Sequence, residues 1–274
     1  MAVKNNTILL NNQAFLRLHL AHAAIGCWPC NNKAAKPVNI FFTILSIGND
    51  RDSFIRDLTD NVLLPIKENC SYFLPCNRMY HWNLSPEVRF VSIHFNMEFF
   101  YGFDIFQNYP QSLMWENSRW QDELMPLIDH PDIMLSLFKI NRIIYDLADE
   151  LYRRNPLFSA PDTIHWSAYE KVINYVRKYG DASTRVEDLA DIMKLRSNVF
   201  SRNFTRDLGV TPKEFLVNAL LRKAIDMLRL PNSTIRQVAE KLKFSSEYYF
   251  SYFFKKNTGQ SPSDFKRQNC FAGN

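Results

Sequence analysis

The sequence predicts an α+β multi-domain chain: an N-terminal β-barrel or sandwich, a helical segment, and a C-terminal all-α domain with two helix–turn–helix units. Three observations carry that expectation. The first 110 residues fall into short apolar or alternating runs separated by turn residues, residues 122–154 carry a helical period, and residues 184–265 contain one unit twice. Of the 274 residues, 46% are hydrophobic and 14% aromatic, ample for buried cores. No apolar run reaches the roughly 18–20 residues of a membrane span, and no charged-then-apolar leader opens the chain. The expectation is a cytoplasmic protein with no membrane contact.

In the first segment, residues 15–24, 38–47, 60–66, 71–74 and 88–95 are the strand candidates. Gly48-Asn49-Asp50, Lys67-Glu68-Asn69 and Ser85-Pro86 divide them. Many short strands at irregular spacing suit a small barrel or sandwich, and residues 1–121 are assigned to it.

In the second segment, residues 122–154, Pro126 and Pro131 interrupt the start, so a continuous helix is expected from about Asp132. Ile133, Leu137, Ile140, Ile144, Leu147 and Leu151 follow alternating steps of four and three, a heptad seam suited to a homodimer contact. Met134, Phe138, Ile143 and Ala148 widen the stripe, so packing on the chain's own sheet is the alternative. Residues 155–165, with Pro156 and Pro161 and no helical period, read as a linker. Residues 166–274 then read as helical, opening on a stripe of Trp166, Tyr169, Ile173 and Val176.

The repeat has two halves. Val186, Leu189, Ala190 and Met193 match Ile235, Val238, Ala239 and Leu242 at an offset of 49. Phe200, Ser201, Phe204, Gly209, Pro212 and Phe215 match Phe250, Ser251, Phe254, Gly259, Pro262 and Phe265 at 50. One extra residue therefore lies in the turn of the second copy. Thr184 with Glu187 and Thr234 with Gln237 have capping-box spacing. Gly209 and Gly259 are placed to end the second helix of each copy, and Pro212 and Pro262 to begin the next. Residues 212–230 then form a rod of about 28 Å between the units, with Leu216, Leu220, Ala224 and Met227 as its apolar stripe.

The unmatched positions of the second helices differ in chemistry. The first copy offers Asn198, Ser201, Arg202, Thr205 and Arg206, the second Glu247, Tyr248, Ser251, Tyr252, Lys255 and Lys256. Arg pairs bidentately with guanine and Asn with adenine, whereas Tyr packs on thymine methyls and Lys suits phosphates. Charge agrees. Nineteen of the 33 basic residues but eleven of the 28 acidic ones fall from Trp166 onward, giving that region +8 and the preceding residues −3. Double-stranded DNA is the expected partner.

The segments DLADIMK, FSRNFTRDLGVTPKEFL, LRKAIDMLR, IRQVAEKLKF and YYFSYFFKKNTGQSPSDFK together resemble the AraC/XylS family of bacterial transcription regulators. The resemblance covers about residues 166–270. It implies a seven-helix DNA-binding domain, with base contacts from Asn198, Ser201 and Arg202 and from Glu247, Tyr248 and Ser251. It also implies a cupin-like N-terminal domain that senses a small-molecule effector, often a sugar, a dimerising helical segment, and RNA polymerase as a protein partner. Two positions depart from the family. Lys243 stands where glycine usually precedes the aromatic of the second turn, and Tyr252 where arginine is common. The candidate effector contacts are His19, His81, Trp82 and His94.

Cys27-Trp-Pro-Cys30 has a C-x-x-C spacing, and with Cys70 and Cys76 it offers a thiol- or metal-responsive alternative for the sensor. The sequence otherwise asks for no cofactor and no metal. There is no His-x-His pair, no Ser/His/Asp order and no glycine-rich phosphate loop, so no enzyme is expected.

Overall fold

The computed structural model describes residues 16–100, 102–116, 119–127, 132–156 and 168–270. Phe15, Trp166 and most of the expected linker lie outside them. The chain divides into two units: Leu18–Met97 with Ile105–Leu157, and Glu98–Asp104 with Phe158–Asn274 (the latter also takes in Met1–Arg17).

The strands form two antiparallel sheets, in the first unit except for Arg17 and residues 98–104. The larger contains β1 (Arg17–Gly26), β3 (Asn39–Ser46), β6 (Ser71–Leu74), β8 (Arg89–Phe100), β9 (Phe103–Asp104) and β10 (Leu113–Trp115), in the order β1-β8-β3-β6-β10 with β9 on β8. The smaller runs β2 (Cys30–Ala35), β7 (Met79–Leu84), β4 (Phe54–Asp57), β5 (Val62–Pro65). Strand alternation explains their stacking. Ile40, Phe42 and Ile44 of β3, with Tyr72, Leu74 and Phe90, meet Ile55, Leu64, Tyr80, Trp82 and Leu84 of the smaller sheet in one core. The sandwich expectation holds.

Five of these ten strands were not foreseen. β2 reads CNNKAA and β4 reads FIRD; each puts too few apolar side chains inward to make a period. They form because β7, whose Tyr80, Trp82 and Leu84 do alternate inward, pairs with both.

The other face of the larger sheet is apolar too, with Phe41, Phe73 and Phe95 buried. Two helices belong to this unit, α1 (Trp120–Leu124) and α2 (Ile133–Arg154). Trp120 meets Phe41 edge-on at 5.6 Å, and Tyr109 Oη donates to the Leu151 carbonyl at 3.2 Å. α2 starts where its period indicated, with the Asp132 carboxylate accepting from Leu135 N at 3.0 Å. Its seam splits: Ile144, Leu147 and Leu151 are buried within the unit, Ile140 is half-buried, and Ile133 and Leu137 are exposed.

The helical unit comprises α3 (Glu170–Tyr179), α4 (Val186–Ile192), α5 (Ser197–Leu208), α6 (Pro212–Leu228), α7 (Ile235–Lys241), α8 (Glu247–Thr258) and α9 (Pro262–Cys270). It has two cores. Tyr169, Val172, Ile173, Val176, Leu189, Ala190, Phe200, Phe204 and Phe215, with Phe103, build the first. Val238, Ala239, Leu242, Phe244, Phe250, Phe254 and Phe265 build the second. α6 serves both, and this corrects the expected stripe. Phe215 and Ala219 enter the first core, Leu221, Ala224, Ile225 and Leu228 the second, while Leu216, Leu220 and Met227 are half-buried at the margins. A helix between two cores is buried on more than one face, which a single-stripe reading misses.

Candidate nucleic-acid interface

Both copies form a helix, a tight turn and a second helix. In each turn one bond recurs: Leu195 N donates to the Ala190 carbonyl at 3.0 Å, and Phe244 N to the Ala239 carbonyl at 2.9 Å. The residue before each donor is lysine in the left-handed region, Lys194 and Lys243, both at φ 55°. Lys243 thus takes up a glycine-like angle, at a cost of about 1–2 kcal/mol for a residue with a Cβ.

The offset is still 49 at this point. It becomes 50 at the next residues, because α5 is capped by Arg196 and α8 by Ser246. The extra residue is therefore Ser245, between Phe244 and the Ser246 cap. Ser246 Oγ accepts from Tyr249 N at 3.1 Å, so the longer turn delivers a capping hydroxyl to the second helix.

One capping expectation needs correcting. α4 starts at Val186 with Arg185 as its cap, and the Asp188 carboxylate accepts from Arg185 N at 2.7 Å. Thr184 instead accepts from Asp181 N at 3.0 Å and closes the preceding turn. The offset of 49 maps Thr234 onto Arg185, so Thr184 matches Ser233 and stands one residue too early. Thr234 does form the capping box with Gln237, as Thr211 does with Glu214. Gly209 at φ 72° and Gly259 at φ 75° end α5 and α8 as expected.

These cores orient the second helices so that the named positions face outward. On α5, Asn198, Arg202 and Arg206 are exposed and Ser201 and Thr205 half-buried. Among the described residues Arg202 has no ion pair, leaving its guanidinium open to a base edge. Arg206 is held by Asp207 at 2.7 Å, whose other carboxylate oxygen accepts from Tyr169 Oη at 2.8 Å. Thr205 Oγ1 donates to the Ser201 carbonyl at 2.8 Å, so its hydroxyl points back along the helix. Asn198 Oδ1 accepts from Val199 N at 2.8 Å.

On α8, Glu247, Tyr248, Tyr252, Lys255 and Lys256 are exposed and Ser251 half-buried. Tyr248 is 81% exposed. Contiguous exposed apolar surface marks an interaction site. Tyr249, at the start of α8, extends the aromatic face beside Tyr248 and Tyr252. One exposed position escaped the sequence reading. Arg196 sets a cation at the N-terminus of α5, where the helix dipole already favours an anion. A basic residue just ahead of the helix was the available signal.

The candidate effector contacts fall in the two-sheet unit. Trp82 is in its core, and among the described residues its buried indole N–H has no acceptor. His94 pairs in register with Ile40, a core residue, so it lies on the inner face, and its ring meets His22 edge-on at 5.4 Å. His81 is on the outer face of β7, bonded to Asn31 Oδ1 at 3.0 Å. His19 is half-buried on β1. Sequence reading passed over Lys36, whose ammonium is destabilised by burial, an effect opposed by the charge of the nearby Cys30 when it is a thiolate. Cys27 is exposed, Cys30 half-buried, and Cys70 and Cys76 buried. Among the described residues no three His, Cys, Asp or Glu side chains converge on a metal-sized point, and no helix is long and apolar enough to cross a membrane.

A helix-turn-helix domain family matches residues 189–268. The HTH-type transcriptional regulator AlkR of Acinetobacter baylyi is 32% identical over 93 residues, 34% of this chain and 30% of that protein. The Msm operon regulatory protein of Streptococcus mutans is 26% identical over 130 residues, 46% of each. The chain thus spans less than half the length of these curated relatives. Among solved structures, ToxT from Vibrio cholerae O395 shares the fold with a TM-score of 0.56 at 16% identity, over 93% of this chain and 98% of that one.

Proposed function

We propose that the chain, whose residues 189–268 match a helix-turn-helix domain family, is a sequence-specific DNA-binding transcription regulator of the AraC type, governed by a small molecule held in its two-sheet unit. The observation that carries this is the division of labour within the repeat. Two cores of matching residues hold up two outer helix faces, one of Asn and Arg, the other of Tyr and Lys. Arg202 and Asn198 read bases, with Ser201 and Thr205 beside them. Arg196, Arg206, Lys255 and Lys256 hold phosphates, and Glu247, Tyr248, Ser251 and Tyr252 form the second contact face. Selection from random duplexes with the purified chain should return one site in two parts. Four phosphate-holding cations predict a slope of log affinity against log salt of about −3.6 per chain. No enriched sequence, or a slope near zero in fluorescence anisotropy, refutes the reading.

The dimer contact belongs to the exposed start of α2. Ile133 is 73% and Phe138 64% exposed, with Met134 and Leu137 beside them, while the rest of the seam is occupied within the unit. A second copy of the same helix covers this face. Phe138→Glu should give a monomer in analytical ultracentrifugation where the parent chain gives a dimer; a parent chain that sediments as a monomer removes the assignment.

For the effector, the donors are Trp82 and Lys36. A buried indole N–H beside aromatic and aliphatic side chains, and a lysine whose ammonium burial disfavours, suit an acid with an apolar body better than a sugar. ToxT has been solved with an unsaturated fatty acid and with (E)-4-(8-methylnaphthalen-1-yl)but-3-enoic acid. A fitting carboxylic acid at a hundred times its Kd should stabilise the chain by about 2.7 kcal/mol. In thermal melts Lys36→Met should abolish that shift, and a shift that persists, or one given by sugars alone, counts against the assignment. The thiol-responsive alternative has weaker support, since burial raises the Cys30 pKa and so lowers its thiolate fraction.

A further inference from the structure

Lys243 does more than fill a glycine's place. Its ammonium pairs with Asp181 Oδ2 at 2.8 Å. Asp181 lies in the loop 180–184 between α3 and α4, at the entrance to the first helix–turn–helix unit, whereas Lys243 is in the turn of the second. The same loop carries two more links. Ala182 N donates to the Leu242 carbonyl at 2.9 Å, and Lys223 of α6 donates to the Gly180 carbonyl. The loop itself is stiff. Asp181 Oδ1 accepts from Ser183 N at 2.9 Å and from Ser183 Oγ at 2.6 Å, and Thr184 N donates to the Asp181 carbonyl at 3.1 Å. The two units are therefore joined twice, once by α6 and once by a strut from loop 180–184 to the second turn.

A single rod fixes distance but leaves twist and bend to the packing at its ends. A second link closes the linkage and fixes the angle as well. Lys194, at the same place in the first copy and with the same backbone angle, has no ion pair among the described residues. The pairing is thus no requirement of the turn; it is particular to the second copy. Lys243 is 68% exposed along its side chain and Asp181 only 11%, so an exposed cation is held by a nearly buried carboxylate. Such a pair adds little to stability, yet it can still restrict orientation.

We infer that Lys243 is a positioning residue that, through Asp181, fixes the angle between the two second helices and so the half-site spacing the protein accepts on DNA. The inference rests on the DNA-reading function proposed above. It predicts strict spacing in the parent chain, because one added base pair moves a half-site by about 3.4 Å and turns it by about 35°.

The test uses the full chain and the two-part site obtained by selection, with one base pair added or removed between the halves. Affinities are measured for the parent, Lys243→Met, Asp181→Asn and Lys243→Arg. In Lys243→Met and Asp181→Asn the penalty for altered spacing should shrink by about threefold, the size of a modest pairwise coupling. Affinity for the first half-site alone and the melting temperature should stay near the parent's, and Lys243→Arg should keep the full penalty. An unchanged penalty in both Lys243→Met and Asp181→Asn overturns the role of the ion pair and leaves the spacing to α6 and the Ala182–Leu242 backbone bond. A parent chain that selects only a single uninterrupted half-site instead overturns two-unit reading itself, and the inference with it.

Discussion

Replacing Arg202 by alanine should cost about 1–3 kcal/mol of DNA binding and relax the preference at one base position. The side chain is exposed on α5 with no ion pair among the described residues, while Arg206, one turn further along, is already held by Asp207. A guanidinium with its donors unspent can form two parallel hydrogen bonds to the guanine edge. The variant should therefore bind the selected site about five- to 150-fold more weakly and discriminate less between it and sites mutated at one pair. Arg206→Ala should weaken all sequences more evenly and lower the salt slope by about one. Equal losses on specific and unrelated duplexes for Arg202→Ala would move that residue to the phosphates.

Phe204→Ala and Phe254→Ala should each destabilise the helical unit by about 3–5 kcal/mol. These rings occupy equivalent places in the two cores and are fully buried. Phe204 meets Phe200 at 5.3 Å and Phe215 at 5.6 Å, and Phe254 meets Phe250 at 5.9 Å and Phe265 at 5.4 Å. Removing either leaves a cavity ringed by aromatics that cannot collapse onto it. Against a typical total stability of about 5–15 kcal/mol, that is enough to lower the denaturation midpoint sharply. Tyr248→Ala, one of the most exposed aromatics, should change stability by about 0.5 kcal/mol or less while weakening DNA binding. Urea titration followed by circular dichroism separates these cases; a Tyr248→Ala chain as unstable as Phe254→Ala would mean that this ring is structural.

The helical unit was legible because its signals are local. An i, i+3, i+4, i+7 stripe, a capping residue and a glycine stop each act within a dozen residues, and duplication showed which positions mattered. The misreadings came where one side chain had two possible partners. Thr184 had the spacing of a cap, but Asp181 N lay closer at hand. The α6 stripe was read as one face because the sequence does not say that two cores flank it.

The sheets were harder. β3, β6 and β8 are central and apolar enough to announce themselves, whereas β2 and β4 are held by pairing with β7. Cross-strand pairing joins residues dozens of positions apart, and no local period records it. Lys36 was missed for the same reason, since its environment is made by residues distant in sequence.

The sequence by itself determined the duplicated helix–turn–helix, its two aromatic cores and the unequal chemistry of its outer faces, because those depend on neighbours a few residues apart. Only the tertiary structure decided which half of the α2 seam is left exposed, where the one-residue insertion lies, and that Lys243 reaches back to Asp181. Each of these depends on contacts between segments far apart along the chain, and spacing alone does not encode which of several chemically suitable partners will be near.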